Sequence, residues 1–278
     1  MKRLYTYPHL IWIACTGTIF LLLSGLAAAQ EADRQHSPAL QEILEASGLH
    51  GSLLVYDAGE DRYYSNDFAH AERGQLPAST YKIPHSLIAL DLGIVADAQS
   101  LFVWDGQARG MAQWEQDLTF TQAFHLSCVP CYQEIARKVG LDRMKDYLSR
   151  LDYGRMDVRA DNLDQFWLRG DSRISPMEQI RFLRRLYAGD LDLASETQVR
   201  FREMMVMEES EAYRLSGKTG WSVDQGVDNG WFVGYLEQGA AVYFFASNLA
   251  PGPGVSDGEF LEARKSLTLQ ALRVLGFL

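Results

Sequence analysis

The 278-residue sequence predicts an α+β fold, with one central antiparallel sheet formed by both chain ends, flanked by helices, and a helical lobe inserted between. Strand-like runs cluster at residues 51–65 and 213–248, whereas the segment between them carries helical periodicity with its own start and stop residues. No linker, repeat or low-complexity tract interrupts residues 37–278. One domain over 30–278 is therefore expected, its sheet lobe spanning about 30–66 and 212–278 and its helical lobe about 67–211.

The first 29 residues read as a secretory leader. Lys2 and Arg3 precede an apolar run from Leu10 to Leu26, and Ala27-Ala28-Ala29 offers the small-x-small pattern of a signal peptidase site. An uncleaved anchor is the alternative, since the run approaches the length of a membrane span. Cleavage after Ala29 is the reading adopted, giving an exported, periplasmic chain that starts at Gln30. The leader holds two cations and no anion, so its removal takes the net charge from −10 to −12. That acidity argues against nucleic acid or an anionic membrane as partner and leaves a small molecule open. No stable membrane partner is expected, and the protein is expected to be a monomer or homodimer.

Several elements announce their ends. Ser37-Pro38 and Gly48 bracket a helix near 38–47, with proline at its first turn and glycine just past its last. Gly51–Asp57 and Arg62–Ser65 form a hairpin. Ser175 and Glu178 form a capping box for a helix whose Met177, Ile180, Leu183 and Tyr187 share a face, closed by Gly189. Ser195 and Gln198 repeat the box, and a last helix spans about 258–275. Tyr213–Gly220, Gly230–Glu237 and Ala241–Asn248 read as strands, the last two joined at Gln238-Gly239. Val242–Ala246 is apolar on both faces, as a central strand should be.

Chemistry concentrates at Ser79-Thr80-Tyr81-Lys82, which opens a helical run ending before Gly93. Residues three apart share a helix face, so the hydroxyl and the amine can meet. Serine is a weak nucleophile that needs a base in reach, and Lys82 or the nearby His85 supplies it. A helix start also aims backbone N–H groups at an oxyanion formed there. S-x-x-K is weak evidence alone, but Lys218-Thr219-Gly220 lies on an expected strand. A nucleotide-binding P-loop is excluded there, because Ala212 stands where glycine is required. Ser127-Cys128-Val129 lies midway, at a helix entry, where a second hydroxyl can pass a proton to a departing nitrogen. No G-x-S-x-G elbow exists for a Ser-His-Asp hydrolase. Cys128 and Cys131 read either as a small disulfide or as two free thiols, and their context lacks the βαβ unit of a redox motif. No metal is implied.

S-x-x-K followed by K-T-G is the signature of penicillin-binding proteins and serine β-lactamases. Over its whole mature length the chain resembles the class D, oxacillinase-type β-lactamases. The resemblance is carried by Pro77–Pro84, Ser127–Pro130 with Tyr132-Gln133, Asp164–Leu168, Lys218–Gly220, Gly230–Gly234 and Arg264–Ser266. It implies the β-lactamase and transpeptidase fold and β-lactam antibiotics as substrates. It also implies a Lys82 carbamylated by CO2 that serves as base in acylation and deacylation, with no other cofactor. Carbamylation needs a neutral amine, hence a desolvated one. By the same matching, Ser127 relays protons, Lys218 tunes the relay, and Val129 and Trp167 wall the carbamate. Backbone N–H groups of Ser79 and Trp221 would form the oxyanion hole beside Gly220, while Thr219 and Arg264 would bind the drug's carboxylate.

Two departures stand out: Tyr153-Gly154-Arg155 replaces the family's Y-G-N, and His85 stands where asparagine is common. His85 reads as a satisfied helix histidine whose charge would perturb Lys82. Met111 and Trp114 read equally as lining the pocket mouth or as core or surface packing, and His125 reads as packing. A D-Ala-D-Ala peptidase and a β-lactam sensor that is acylated without turnover are the alternative functions. The sensor normally carries transmembrane helices and a cytoplasmic effector, which this sequence lacks.

Overall fold

Strands from both ends of the chain meet in one sheet. In chain order the strands are β1 (Asp33–His36), β2 (Leu49–Asp57), β3 (Arg62–Ser65), β4 (Leu101–Phe102), β5 (Leu118–Thr119), β6 (Val206–Glu209), β7 (Arg214–Asp224), β8 (Val227–Gln238) and β9 (Ala241–Pro251). Seven of them pair in the order β1-β3-β2-β9-β8-β7-β6, and β4 with β5 makes a separate ribbon. The computed structural model describes residues 1–2 and 32–278, so the expected leader and its cut after Ala29 lie outside the described residues. Ala32–Leu278 forms one unit, and among the described residues no helix is long and apolar enough to cross a membrane.

The helices are α1 (Pro38–Ser47), α2 (Phe68–Ala71), α3 (Lys82–Asp91), α4 (Phe120–His125), α5 (Val129–Val139), α6 (Leu141–Leu151), α7 (Pro176–Ala188), α8 (Ser195–Met204) and α9 (Asp257–Val274). Both sheet faces are covered, which is why the central strands are apolar on alternating sides. On β8, Trp231, Val233 and Tyr235 join the core shared with the helical lobe, while Phe232 and Leu236 face the other way toward Leu272 of α9. Leu40, Ile43 and Leu44 of α1 pack with Phe260 and Leu267 of α9. The pattern Ser175, Pro176, Glu178 is a capping box with both reciprocal bonds, and Gly189 closes α7 in the left-handed region at φ 77°.

Two local expectations need correction. The sheet is not wholly antiparallel, because β1 pairs parallel to β3. This edge strand, Asp-Arg-Gln-His, is exposed throughout and carries no alternation to read. Ser195 is not a cap: α8 begins at Ser195 with Ala194 before it and no side-chain cap bond. Gln198, nearly fully buried, instead turns back to bond Leu191 and Leu193. Strands β7 and β8 run on, pairing Asp224 with Val227 across Gln225 and Gly226, both at positive φ as a tight hairpin turn requires.

Candidate active site

Three motifs far apart in sequence meet at the junction of sheet and helical lobe. The nucleophile turn is built first. Ala78 sits at φ 52°, an uncommon conformation for a residue with a Cβ, and its N–H is held by the Trp167 carbonyl at 2.8 Å. A 3₁₀ turn over Ala78–Tyr81 follows and runs directly into α3. Thr80 Oγ1 donates to Pro77 O at 2.7 Å and accepts from Gln179 Nε2 at 2.7 Å, and the Tyr153 hydroxyl donates to Gln179 Oε1 at 3.0 Å. The turn is thus over-determined by buried bonds, as a strained nucleophile position must be.

Within that turn Lys82 Nζ donates to Ser79 Oγ at 3.0 Å. Lys82 is fully buried, with Nζ 5.0 Å from the centroid of the Tyr132 ring, and among the described residues no acidic side chain bonds it. Desolvation therefore pushes its pKa down to about 7. A lysine in that state is half neutral at physiological pH and able to act as a nucleophile or base.

The second motif arrives on a bend. Ser127 has φ 56°, between the end of α4 and the start of α5, and Lys218 Nζ on β7 donates to its Oγ at 2.5 Å. Lys218 also donates to the Thr219 carbonyl at 3.0 Å. Burial first, then the charges of Lys82 and Arg264, hold the Lys218 pKa well below the ordinary lysine value. Cys128 and Cys131 are joined in a disulfide, and Cys128 caps α5 by accepting the Cys131 N–H, so the bridge closes immediately after Ser127.

Strand β7 lies hard against the Ser79 turn. A Cβ on Gly220 would stand 3.2 Å from Thr80 Cγ2 and 3.3 Å from the Thr80 nitrogen, so a side chain there would have to push its neighbours by a few tenths of an ångström and glycine permits the close approach. Gly230 opposite Trp221 does the same for α9: a Cβ there would meet Phe260 at 2.4 Å and Arg264 Cδ at 2.8 Å. That space lets Arg264 reach across to donate to the Gly220 carbonyl. Arg264 is 8% exposed, and burial lowers its pKa to about 10, so it remains cationic.

A cleft of about 330 Å³ opens over this cluster. Of the residues expected in the site, Ser79, Ser127, Val129, Thr219, Trp221 and Arg264 line it, together with Gly220. Lys82, Lys218 and Trp167 are buried residues not among those that line it. Met111 and Trp114 also line the cleft, the first of their two readings, and Trp114 Nε1 donates to the Leu126 carbonyl at 2.9 Å.

Two readings change. His125, expected only to pack, lines the cleft and donates from Nε2 to the Met204 carbonyl at 2.9 Å. His85 is neither satisfied nor charged: both ring nitrogens are buried without a partner among the described residues, and burial followed by the Lys82 amine lowers its pKa to about 3. Arg155 is exposed and lies outside the cleft, its backbone bridged to Arg173. Leu261 of the cleft lining was not foreseen, although its position three residues before Arg264 on α9 puts both on one helix face.

Comparison with known proteins gives the family. Residues 52–266 match the penicillin binding protein transpeptidase domain. The chain is 40% identical over 223 residues to beta-lactamase OXA-48 of Klebsiella pneumoniae, covering 80% of this chain and 82% of that one. It is 36% identical to beta-lactamase OXA-10 of Pseudomonas aeruginosa, covering 84% and 87%. The chain belongs to the class D β-lactamases. Among solved class D structures, YbXI from Nostoc superposes with a TM-score of 0.81 at 37% identity, covering 86% of this chain and 99% of that one. FUS-1 from Fusobacterium nucleatum subsp. polymorphum gives 0.83 at 32% identity, covering 88% and 100%. The mixed seven-stranded sheet and its helices are thus the transpeptidase-like fold of this class D β-lactamase. Among its described residues no group of three or more His, Cys, Asp or Glu is placed to hold a metal ion.

Proposed function

We propose that the protein is an exported, periplasmic serine β-lactamase that opens the β-lactam amide through an acyl-enzyme on Ser79. The observation that carries this reading is the 3.0 Å contact between Ser79 Oγ and a lysine amine that is fully buried and unpaired by any carboxylate. Lys82 serves best as base when CO2 has converted it to a carbamate. The neutral Nζ lone pair attacks the CO2 carbon, a C–N bond forms and a nitrogen proton leaves, so an amine becomes a carboxylate. The residues present fit that group, because Trp167 Nε1 is buried with no protein partner and a charged acceptor would satisfy it.

In acylation, Ser79 gives its proton to the modified Lys82 as Oγ attacks the lactam carbonyl carbon. The negative charge on that carbonyl oxygen falls to the backbone N–H groups of Ser79 and Trp221. As the C–N bond breaks, the lactam nitrogen takes a proton from Ser127, which Lys218 replaces. The proton that Lys82 took from Ser79 passes back to the Ser127–Lys218 relay, so the Lys82 carboxylate can take a proton from a water that attacks the ester carbonyl, and that proton goes to Ser79 Oγ as the acyl C–O bond breaks. Thr219 and Arg264 hold the drug's own carboxylate at the cleft wall. Arg264→Ala is expected to lower kcat/KM by about 10- to 100-fold, almost all through KM, since a charge-assisted bond to substrate is made equally in ground and transition states.

Purified protein should turn over a chromogenic cephalosporin many times per Ser79, with bicarbonate stimulating the rate. The stimulation should depend on pH in one direction. With a Lys82 pKa of about 7, the neutral amine falls about tenfold per pH unit below that value. More bicarbonate is then needed at pH 6 than at pH 8 for the same activity. A single stoichiometric burst leaving a stable adduct on Ser79 would instead support the sensor.

A further inference from the structure

Two side chains packed on Tyr81 bury polar atoms that no group among the described residues satisfies: Trp167 through Nε1, and His85 through both ring nitrogens. His85 is fully buried and follows Lys82 by three residues on α3. Its ring centroid lies 5.3 Å from that of Trp167, 5.4 Å from Tyr132 and 5.3 Å from Tyr81. Lys82 Nζ lies 5.0 Å from the same Tyr132 centroid. The imidazole therefore packs against both the indole and the Tyr132 ring that the Lys82 amine also meets, in an aromatic-walled box.

Nothing in that box suits an imidazole while Lys82 is an amine. The ring is neutral, because burial and the Lys82 charge both oppose its protonation, so it presents one N–H and one bare nitrogen. Leaving buried donors and acceptors unmade is costly, and a phenyl ring of similar volume would avoid it. Turning Lys82 into an anion reverses the balance. A carboxylate has about four acceptor positions, of which Ser79 and Trp167 use two.

We propose that His85 is a positioning residue for the modified Lys82, its ring N–H donating to the carboxylate that the lysine acquires and sharing that group with Trp167 Nε1. The inference rests on the carbamate reading above. It gives the departure from asparagine a physical sense, since both side chains carry an N–H donor. Its action is on the affinity for CO2 and on the orientation of the base, not on substrate.

The test is carbon-13 NMR of purified protein titrated with labelled bicarbonate, following the carbamate signal. His85→Phe keeps a ring but no donor, and is expected to bind CO2 about tenfold more weakly, as loss of one bond to a charged group implies. His85→Asn restores a donor and is expected to stay within about threefold of the parent. Thermal melting of His85→Phe should be no lower than that of the parent, because two unsatisfied nitrogens leave the core. Should His85→Phe fail to fold, His85→Leu answers the same question by the same signal. An unchanged titration in the donor-free variant, with a normal signal in the parent, overturns this inference alone. No carbamate signal in the parent overturns the carbamate reading and this inference with it.

Discussion

Lys82→Ala is expected to lower β-lactam turnover by about 10⁴-fold or more, because the same side chain serves two proton transfers, each worth about 10²- to 10⁴-fold. Ser79→Ala should in addition abolish any covalent adduct, whereas Lys82→Ala should still acylate slowly. Mass spectrometry of each variant after incubation with a penicillin separates the two outcomes. The alternative in which His85 is the base is already disfavoured by its burial and low proton affinity. A Lys82→Ala protein that kept full turnover would revive it.

The same variant carries a stability signature with a definite sign. In the fold Lys82 has a pKa of about 7 against 10.5 for the free side chain. Between those values the unfolded chain holds the extra proton, so unfolding becomes harder as pH rises. In CO2-depleted buffer the parent should therefore gain stability from pH 7 toward pH 10, and Lys82→Ala should gain less. Some slope persists in the variant, since burial also lowers the Lys218 pKa. Equal slopes in parent and variant would contradict a dry, unpaired amine at position 82.

Much of this site was legible in the sequence, for identifiable reasons. Motifs on one element, such as Ser79 with Lys82, are read from helix spacing alone. Joining Lys218 to Ser127, 91 positions apart, needed the family resemblance, because spacing cannot bring two distant segments together. Capping residues located α1 and α7 closely, yet Ser195 misled, since Gln198 was drawn into the core by carbonyls that sequence does not reveal. Edge strands β1 and β6 escaped notice because their side chains are partly or wholly exposed and carry no two-residue alternation. The two corrections at histidines share one cause. His85 and His125 have ordinary sequence surroundings, and only tertiary packing decides that one is sealed without partners and the other faces the cleft.

Trp167→Phe is expected to leave the fold intact and make activity bicarbonate-hungry. The indole stacks on Tyr81 at 5.5 Å between centroids and meets Phe166 edge-on at 5.1 Å, contacts that a phenyl ring largely keeps. The Trp167 carbonyl that holds Ala78 belongs to the backbone and survives the change. What disappears is the Nε1 donor, which has no protein partner. Its loss should cost the unmodified protein little, because an unsatisfied buried group leaves with it. The carbamate, by contrast, loses a bond to a charged acceptor, worth about 1.5–3 kcal/mol. That corresponds to about 10- to 100-fold weaker CO2 binding. At ambient bicarbonate the variant should be nearly inactive, and saturating bicarbonate should restore most of kcat with KM for the drug unchanged. Melting temperatures measured alongside distinguish this from collapse of the aromatic box. If parent and variant respond identically to bicarbonate, the indole N–H does not hold the base.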